Sequence, residues 1–299
     1  MRRKVIQIAE STQLISLPRK WAVRYQVKKG DELNIEEQGS TLIVSTQNEI
    51  ATKKITLDVR GQKTFKRRMI ALAYIKGYDE VDVLYDTPEY IKSIQLLLQE
   101  FTGYDIVRQD KNSCTIRQIS KPTPDEFTNV FNRLFLITSD TLKTIIEALK
   151  ENDLEQLQGV QYRDTNINKY VNFCKRIINK GNYPITEQPS GIYLILTLLE
   201  LVGDEHKKLS KNISDNKKFE KPVIRLLEQM SVFFESLTKS FKSKSKDIAL
   251  ENASLYEELQ NQIEIAKKQS KTDSHIYEII SHILNIMIEL QETILGEVL

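Results

Sequence analysis

From Lys121 to its end this 299-residue chain spaces its apolar side chains by three and four, with no strand-like alternation. Only helices packed on one another bury such a pattern. Pro122-Thr123-Pro124 opens a helix from Asp125 to about Lys150, with Phe127, Phe131, Leu134, Ile137, Leu142, Ile145 and Leu149 on one stripe. Asn152-Asp153 caps a second helix that runs to Asn179 and stops at Gly181-Asn182-Tyr183-Pro184. A third spans about Gly191 to Ser210. After the polar loop Ser214 to Lys221 the arrangement repeats, as Pro222 to Ser243, Asp247 to Lys268 and Asp273 to Leu295. The spacing predicts two sequential three-helix bundles, residues 122–214 and 222–299, joined by short connections.

The chain begins differently. Val5 to Ile8 and Leu14 to Leu17 alternate as strands around the polar turn Glu10-Ser11-Thr12-Gln13, and Pro18 opens a short helix carrying Arg19 to Tyr25. Gly30-Asp31 turns the chain, Leu33 and Ile35 alternate with polar residues, Gln38-Gly39-Ser40 is a tight turn, and Leu42 to Val44 returns. A four-strand unit of about 45 residues is too small to bury a core alone, so it requires a partner. Leu17-Pro18-Arg19-Lys20-Trp21 followed by Lys28-Lys29-Gly30-Asp31 resembles the AbrB/SpoVT/MazE family of swapped-hairpin DNA-binding domains, although Ser11 and Thr12 stand where the family commonly has a glycine. The resemblance implies that residues 1–47 form an all-β barrel from two chains, hence a homodimer.

Total charge decides nothing, because 43 Lys and Arg stand against 41 Asp and Glu. Its segregation is informative: residues 1 to 30 hold eight basic residues against Glu10 alone. Arg2, Arg3 and Lys4 lead into the first strand, while Arg19, Lys20 and Arg24 lie on or beside the short helix. Doubled in a dimer, they make a basic face suited to double-stranded DNA; a merely solvated charged surface is the alternative. Trp21 reads as core packing in preference to base stacking.

Between the two ends, residues 53–120 read as β-α-β-α-β-β, a small α/β sandwich of the ferredoxin-like kind. Its strands are Lys54 to Val59, Val81 to Leu84, Asp105 to Gln109 and Ser113 to Ile119. Its helices are Gln62 to Lys76, with Phe65, Met69, Leu72 and Ala73 inward, and Pro88 to Phe101. Lys63, Lys66, Arg67 and Arg68 on the first helix read as a solvated face sooner than a phosphate site.

Carboxylates one helical turn apart share a face, so Glu200 and Asp204 with Asp164 of the neighbouring helix form a candidate cation site; helix-surface ion pairs with Lys and Arg are the plain alternative. Aligning Asp153 with Asp247 sets Asp164 against Glu258, Asn168 against Gln262, Glu200 against Glu278 and Asp204 against His282. Asp164 to Asn168 and Leu199 to His206, set in paired three-helix bundles, resemble the PhoU family, whose motifs read Asp-x-x-x-Asp and Glu-x-x-Gly-Asp-His. Some archaeal PhoU-like regulators of phosphate uptake carry an AbrB-type domain in front and a small α/β segment between, an order similar to this one. The resemblance implies iron or zinc at Asp164, Asn168, Glu200 and Asp204; Asn168, a neutral amide, is a weak ligand. His206 reads as packed or facing water.

No Walker loop, GxGxxG after a strand, GxSxG or HExxH occurs, and Cys114 and Cys174 match no metal spacing, so no enzyme chemistry is expected and the thiols read as free and buried. No apolar run approaches the roughly 18 residues of a membrane span and no signal-peptide core is evident, which predicts a soluble, cytoplasmic protein. Two functions are consistent with these readings, ahead of a distant third, a metal-dependent enzyme, against which the lack of any nucleophile and base pair speaks. One is a DNA-binding transcriptional regulator of phosphate uptake. The other is an adaptor that negatively regulates a phosphate transporter through protein contacts, with the barrel serving only to dimerise.

Overall fold

The computed structural model describes residues 3–9, 12–38, 41–46, 52–62, 66–120, 124–181, 188–216, 221–270 and 275–298. Arg2, Lys63 and Phe65 lie outside them, as do the turns at 10–11 and 39–40 and the linkers at 48–51, 182–184 and 217–220. The chain divides into two compact units, Met1–Lys54 and Ile55–Leu299.

In the first unit, β1 (Ile6–Ala9) pairs antiparallel with β2 (Thr12–Leu14), and β3 (Leu33–Gln38) with β4 (Thr41–Thr46). Ile6 lies opposite Leu14, so the second strand comes earlier than expected and is over before Leu17. Helix α1 (Arg19–Arg24) follows, with Pro18 as its extended N-cap at ψ 122° and not as its first helical residue; the Pro18 carbonyl accepts from the Ala22 N–H at 2.9 Å. Within one chain the hairpins remain two separate two-stranded sheets. Such hairpins are marginal alone, and Val5, Ile6, Ile8, Leu14, Ile15, Val23, Ile35 and Leu42 all stay exposed.

The second unit begins with a sheet ordered β5-β6-β8-β7, from β5 (Lys54–Asp58), β6 (Glu80–Leu84), β7 (Tyr104–Gln109) and β8 (Ser113–Gln118). Helix α2 (Lys66–Ile75) joins β5 to β6, and α3 (Tyr90–Leu98) joins β6 to β7. The order along the chain is β-α-β-α-β-β, which differs from the β-α-β-β-α-β of a ferredoxin-like fold. Ile70, Ala73 and Tyr74 are the buried residues of α2, while Leu72 is exposed, because α2 also packs on a later helix, α5 (Gln158–Lys180). Gly77 ends α2 at φ +81°, and a Cβ there would lie 2.7 Å from Lys180 Cγ; only glycine allows this close approach.

Six long helices follow: α4 (Pro124–Glu151), α5, α6 (Pro189–Asn216), α7 (Lys221–Ser243), α8 (Lys246–Gln269) and α9 (His275–Val298). Asp153 caps a 3₁₀ turn, Leu154–Leu157, ahead of α5, its Oδ1 accepting from the Glu155 N–H at 3.2 Å. The two expected three-helix groups are present, but they share one continuous core, because α4 packs on α7 and α6 on α9. The α/β module keeps a core of its own, and its boundary with the helices is a packed interface within one unit. Cys114 and Cys174 are free and buried. Among the described residues no helix is long and apolar enough to cross a membrane.

Candidate functional site

The first candidate is the basic surface of the N-terminal unit. Gly30 at φ +93° permits the turn in which the Lys28 N–H donates to Asp31 Oδ2 at 2.8 Å, as the Lys-Lys-Gly-Asp pattern requires. Arg3, Lys4, Arg19, Lys20 and Arg24 are all exposed, and helix geometry sets Lys20 and Arg24 one turn apart on α1. No residue of α1 is buried; Trp21 is half-covered, its ring centroid 5.4 Å from that of Tyr25. The core that Trp21 was expected to join is therefore not completed by one copy.

The second candidate is the seam between α5 and α6, antiparallel helices whose facing residues fix the register. Gly203 lies against Ile167, where a Cβ would be 3.0 Å from Ile167 Cδ1. One turn further along α6, Lys207 Nζ donates to Asp164 Oδ2 at 2.7 Å; one turn back, Glu200 Oε2 accepts from Lys175 Nζ at 2.8 Å. Asp164 and Glu200 thus meet different turns of the opposite helix, separated by about 10 Å of axis at about 1.5 Å per residue. Asp204 lies between them on the seam, near enough to feel the charge of both, and Asn168 is half-buried.

Asp164 is 2% exposed, and its Oδ1 has no hydrogen-bond partner among the described residues. Burial, then the nearby charges of Asp164 and Glu200, raise the Asp204 carboxyl above the ordinary carboxylate range. Glu100 of the α/β module is raised by burial as well, despite its ion pair with Arg67 at 3.1 Å, and feels the Asp164 charge. Among the described residues no three His, Cys, Asp or Glu side chains form a group able to hold a metal ion. Of the acids that the resemblance implies for iron or zinc, Asp164 is engaged by the Lys207 ammonium and Glu200 by that of Lys175. Lys66 and Arg67 of the basic cluster on α2 are likewise paired, with Asp86 and Glu100.

Two features escaped the sequence reading, Arg176 and a groove between α6 and α9, while His206 takes the packed alternative of its two readings. Arg176 is fully buried where α5 meets the α/β module: it donates to the Tyr74 carbonyl at 2.6 Å, to Gln118 Oε1 at 2.7 Å and to Asp79 Oδ1 at 3.2 Å, and lies over the rings of Tyr74 and Tyr104. Its signal was a pair of charges, Lys175-Arg176, inside a run buried from Val171 to Ile177. His206 is 1% exposed with neither ring nitrogen hydrogen-bonded, and burial lowers its pKa to about 4. Between α6 and α9 a groove of about 440 Å³ holds His275, Glu278 and His282, where His282 Nδ1 lies 3.3 Å from the buried carboxylate of Glu205, which Lys208 also binds.

No protein-family model matches this chain, and no curated protein does. Among solved structures, the phosphate transport system regulatory protein PhoU from Streptococcus pneumoniae is similar over 59% of this chain and 97% of its own, at 16% sequence identity and a TM-score of 0.46.

Proposed function

We propose that this chain is a regulator of phosphate uptake that binds double-stranded DNA as a homodimer through residues 1–47, with its helical bundles relaying phosphate status. The observation that carries this reading is the composition of the first unit's surface: a dense set of exposed cations beside eight exposed apolar side chains. The apolar set calls for a second copy, and burying such residues is worth on the order of 1 kcal/mol each when they start about half-exposed. The cations then appear twice, on one two-fold face matched to a pseudo-palindromic site. The motif order of the sequence supplies the link to phosphate.

Full-length protein and the DNA upstream of its own coding sequence test the proposal. If about half of the doubled charges of Arg2, Arg3, Lys4, Arg19, Lys20 and Arg24 meet phosphates, affinity falls roughly 10³-fold between about 50 and 200 mM salt. Changing Arg2, Arg3 and Arg19 together to Ala flattens that slope. Sedimentation gives a dimer, and Ile8→Lys with Ile35→Lys converts it to a monomer of unchanged helicity. The adaptor reading, acting on phosphate transporter components through the bundles, draws on Leu194 and Leu201, exposed two turns apart on α6. A dimer that retains no DNA at about 50 mM salt selects it.

A further inference from the structure

We propose that Lys207 and Lys175 replace a metal ion on the α5–α6 seam, so that the first helical bundle holds together without one. The inference goes beyond the regulator reading and stands whether or not the chain binds DNA.

The argument is geometric. A carboxylate oxygen that ligates a metal sits about 2.0–2.6 Å from the ion, whereas Asp164 Oδ2 is held by the Lys207 ammonium at 2.7 Å and Glu200 Oε2 by that of Lys175 at 2.8 Å. The same oxygen cannot serve both, and an ion beside either ammonium meets like charge. Lys175 is committed by its surroundings: its side chain is 8% exposed, and its Nζ lies 5.3 Å over the Tyr193 ring. Lys207 is about half exposed and free to leave. The register sets Lys207 opposite Asp164, while Lys175, more than a turn beyond the position that faces Glu200, reaches that acid along its side chain, so two separated ion pairs do the electrostatic work that one shared ion would do. Asp204, between them, has no ion pair among those described. What remains beside the Lys207 ammonium is one buried, unpartnered oxygen, Asp164 Oδ1.

Full-length protein is stripped with EDTA and titrated with Zn²⁺ or Mn²⁺ alone by calorimetry, with bound metal counted by mass spectrometry. Wild type is expected to hold no ion that Asp164→Asn removes, and to melt at the same temperature with and without EDTA. Zinc on the exposed His275 and His282 is discounted, since it survives Asp164→Asn. Lys207→Met is expected to gain an ion, at least about ten-fold tighter than wild type, and Lys207→Met with Asp164→Asn to lose it again. A stoichiometric ion on wild type that Asp164→Asn abolishes overturns the proposal. So does a Lys207→Met protein of native circular dichroism that gains no affinity. Should Lys207→Met fail to fold, the wild-type metal count and the melting comparison decide alone.

Discussion

His206 makes the fold sensitive to acid, and the size of the effect follows from its burial. An imidazole buried with no hydrogen-bond partner stays neutral in the folded chain down to about pH 4, whereas in the unfolded chain it takes up a proton near its ordinary 6.5. Above pH 6.5 neither state is protonated and this residue costs nothing through titration. Between 6.5 and 4 only the unfolded state binds the proton, so stability falls as pH falls, by about 3.4 kcal/mol in total at about 1.4 kcal/mol per pH unit. At pH 4.5 about 2.6 kcal/mol of that is already lost. His206→Leu keeps the volume, removes the titration, and also removes an unpaired buried N–H that costs about 1–3 kcal/mol at any pH. Urea unfolding followed by circular dichroism at pH 8 and pH 4.5 is the assay. Comparing the two proteins cancels the carboxylates common to both. The variant is expected to be the more stable at pH 8, and its advantage is expected to grow by about 2–3 kcal/mol at pH 4.5. An advantage that is the same at both pH values refutes the reasoning.

Further outcomes follow from the packing. Arg176→Met removes the buried guanidinium from Gln118, the Tyr74 carbonyl and Asp79, which keeps its pairing with Lys180, and a loss of about 1–3 kcal/mol is expected; hydrogen exchange will show the α/β module losing protection before α7 and α9 do. Gly203→Ala adds a Cβ at the tight edge of contact with Ile167 and is close to neutral because it gains helix propensity, whereas Gly203→Val overpacks the seam by about 1–3 kcal/mol, read from urea midpoints. Gly191 admits the Glu297 carboxylate to the N-terminus of α6, where Glu297 Oε2 accepts from the Gln188 N–H at 3.2 Å. Glu297→Gln lowers stability by about 0.3–1 kcal/mol, an effect that shrinks in high salt.

The helices were legible because their signal is local. A period of 3.6 is written in each segment by itself, so Phe127, Leu134 and Leu149 could be assigned to the buried face of α4 before any partner was known, and five of the six long helices begin within about two residues of their expected starts. The turn at Lys28 to Asp31 was legible for the same reason, since Gly30 and the Asp31 carboxylate act within four residues. The sheet order, the face of α2 that is covered and the complete burial of α5 from Val171 to Ile177 were not, because each depends on which element arrives on the far side. The seam is the clearest case. Glu200 and Asp204 one turn apart look alike in sequence whether their counter-charge is an ion or an ammonium. Only the offset of α5 against α6, marked by Gly203 on Ile167, sets Lys207 opposite Asp164 and leaves Glu200 within reach of the long Lys175 side chain. Local propensity determined the elements; the register between helices, a property of the packed core, decided which charges meet.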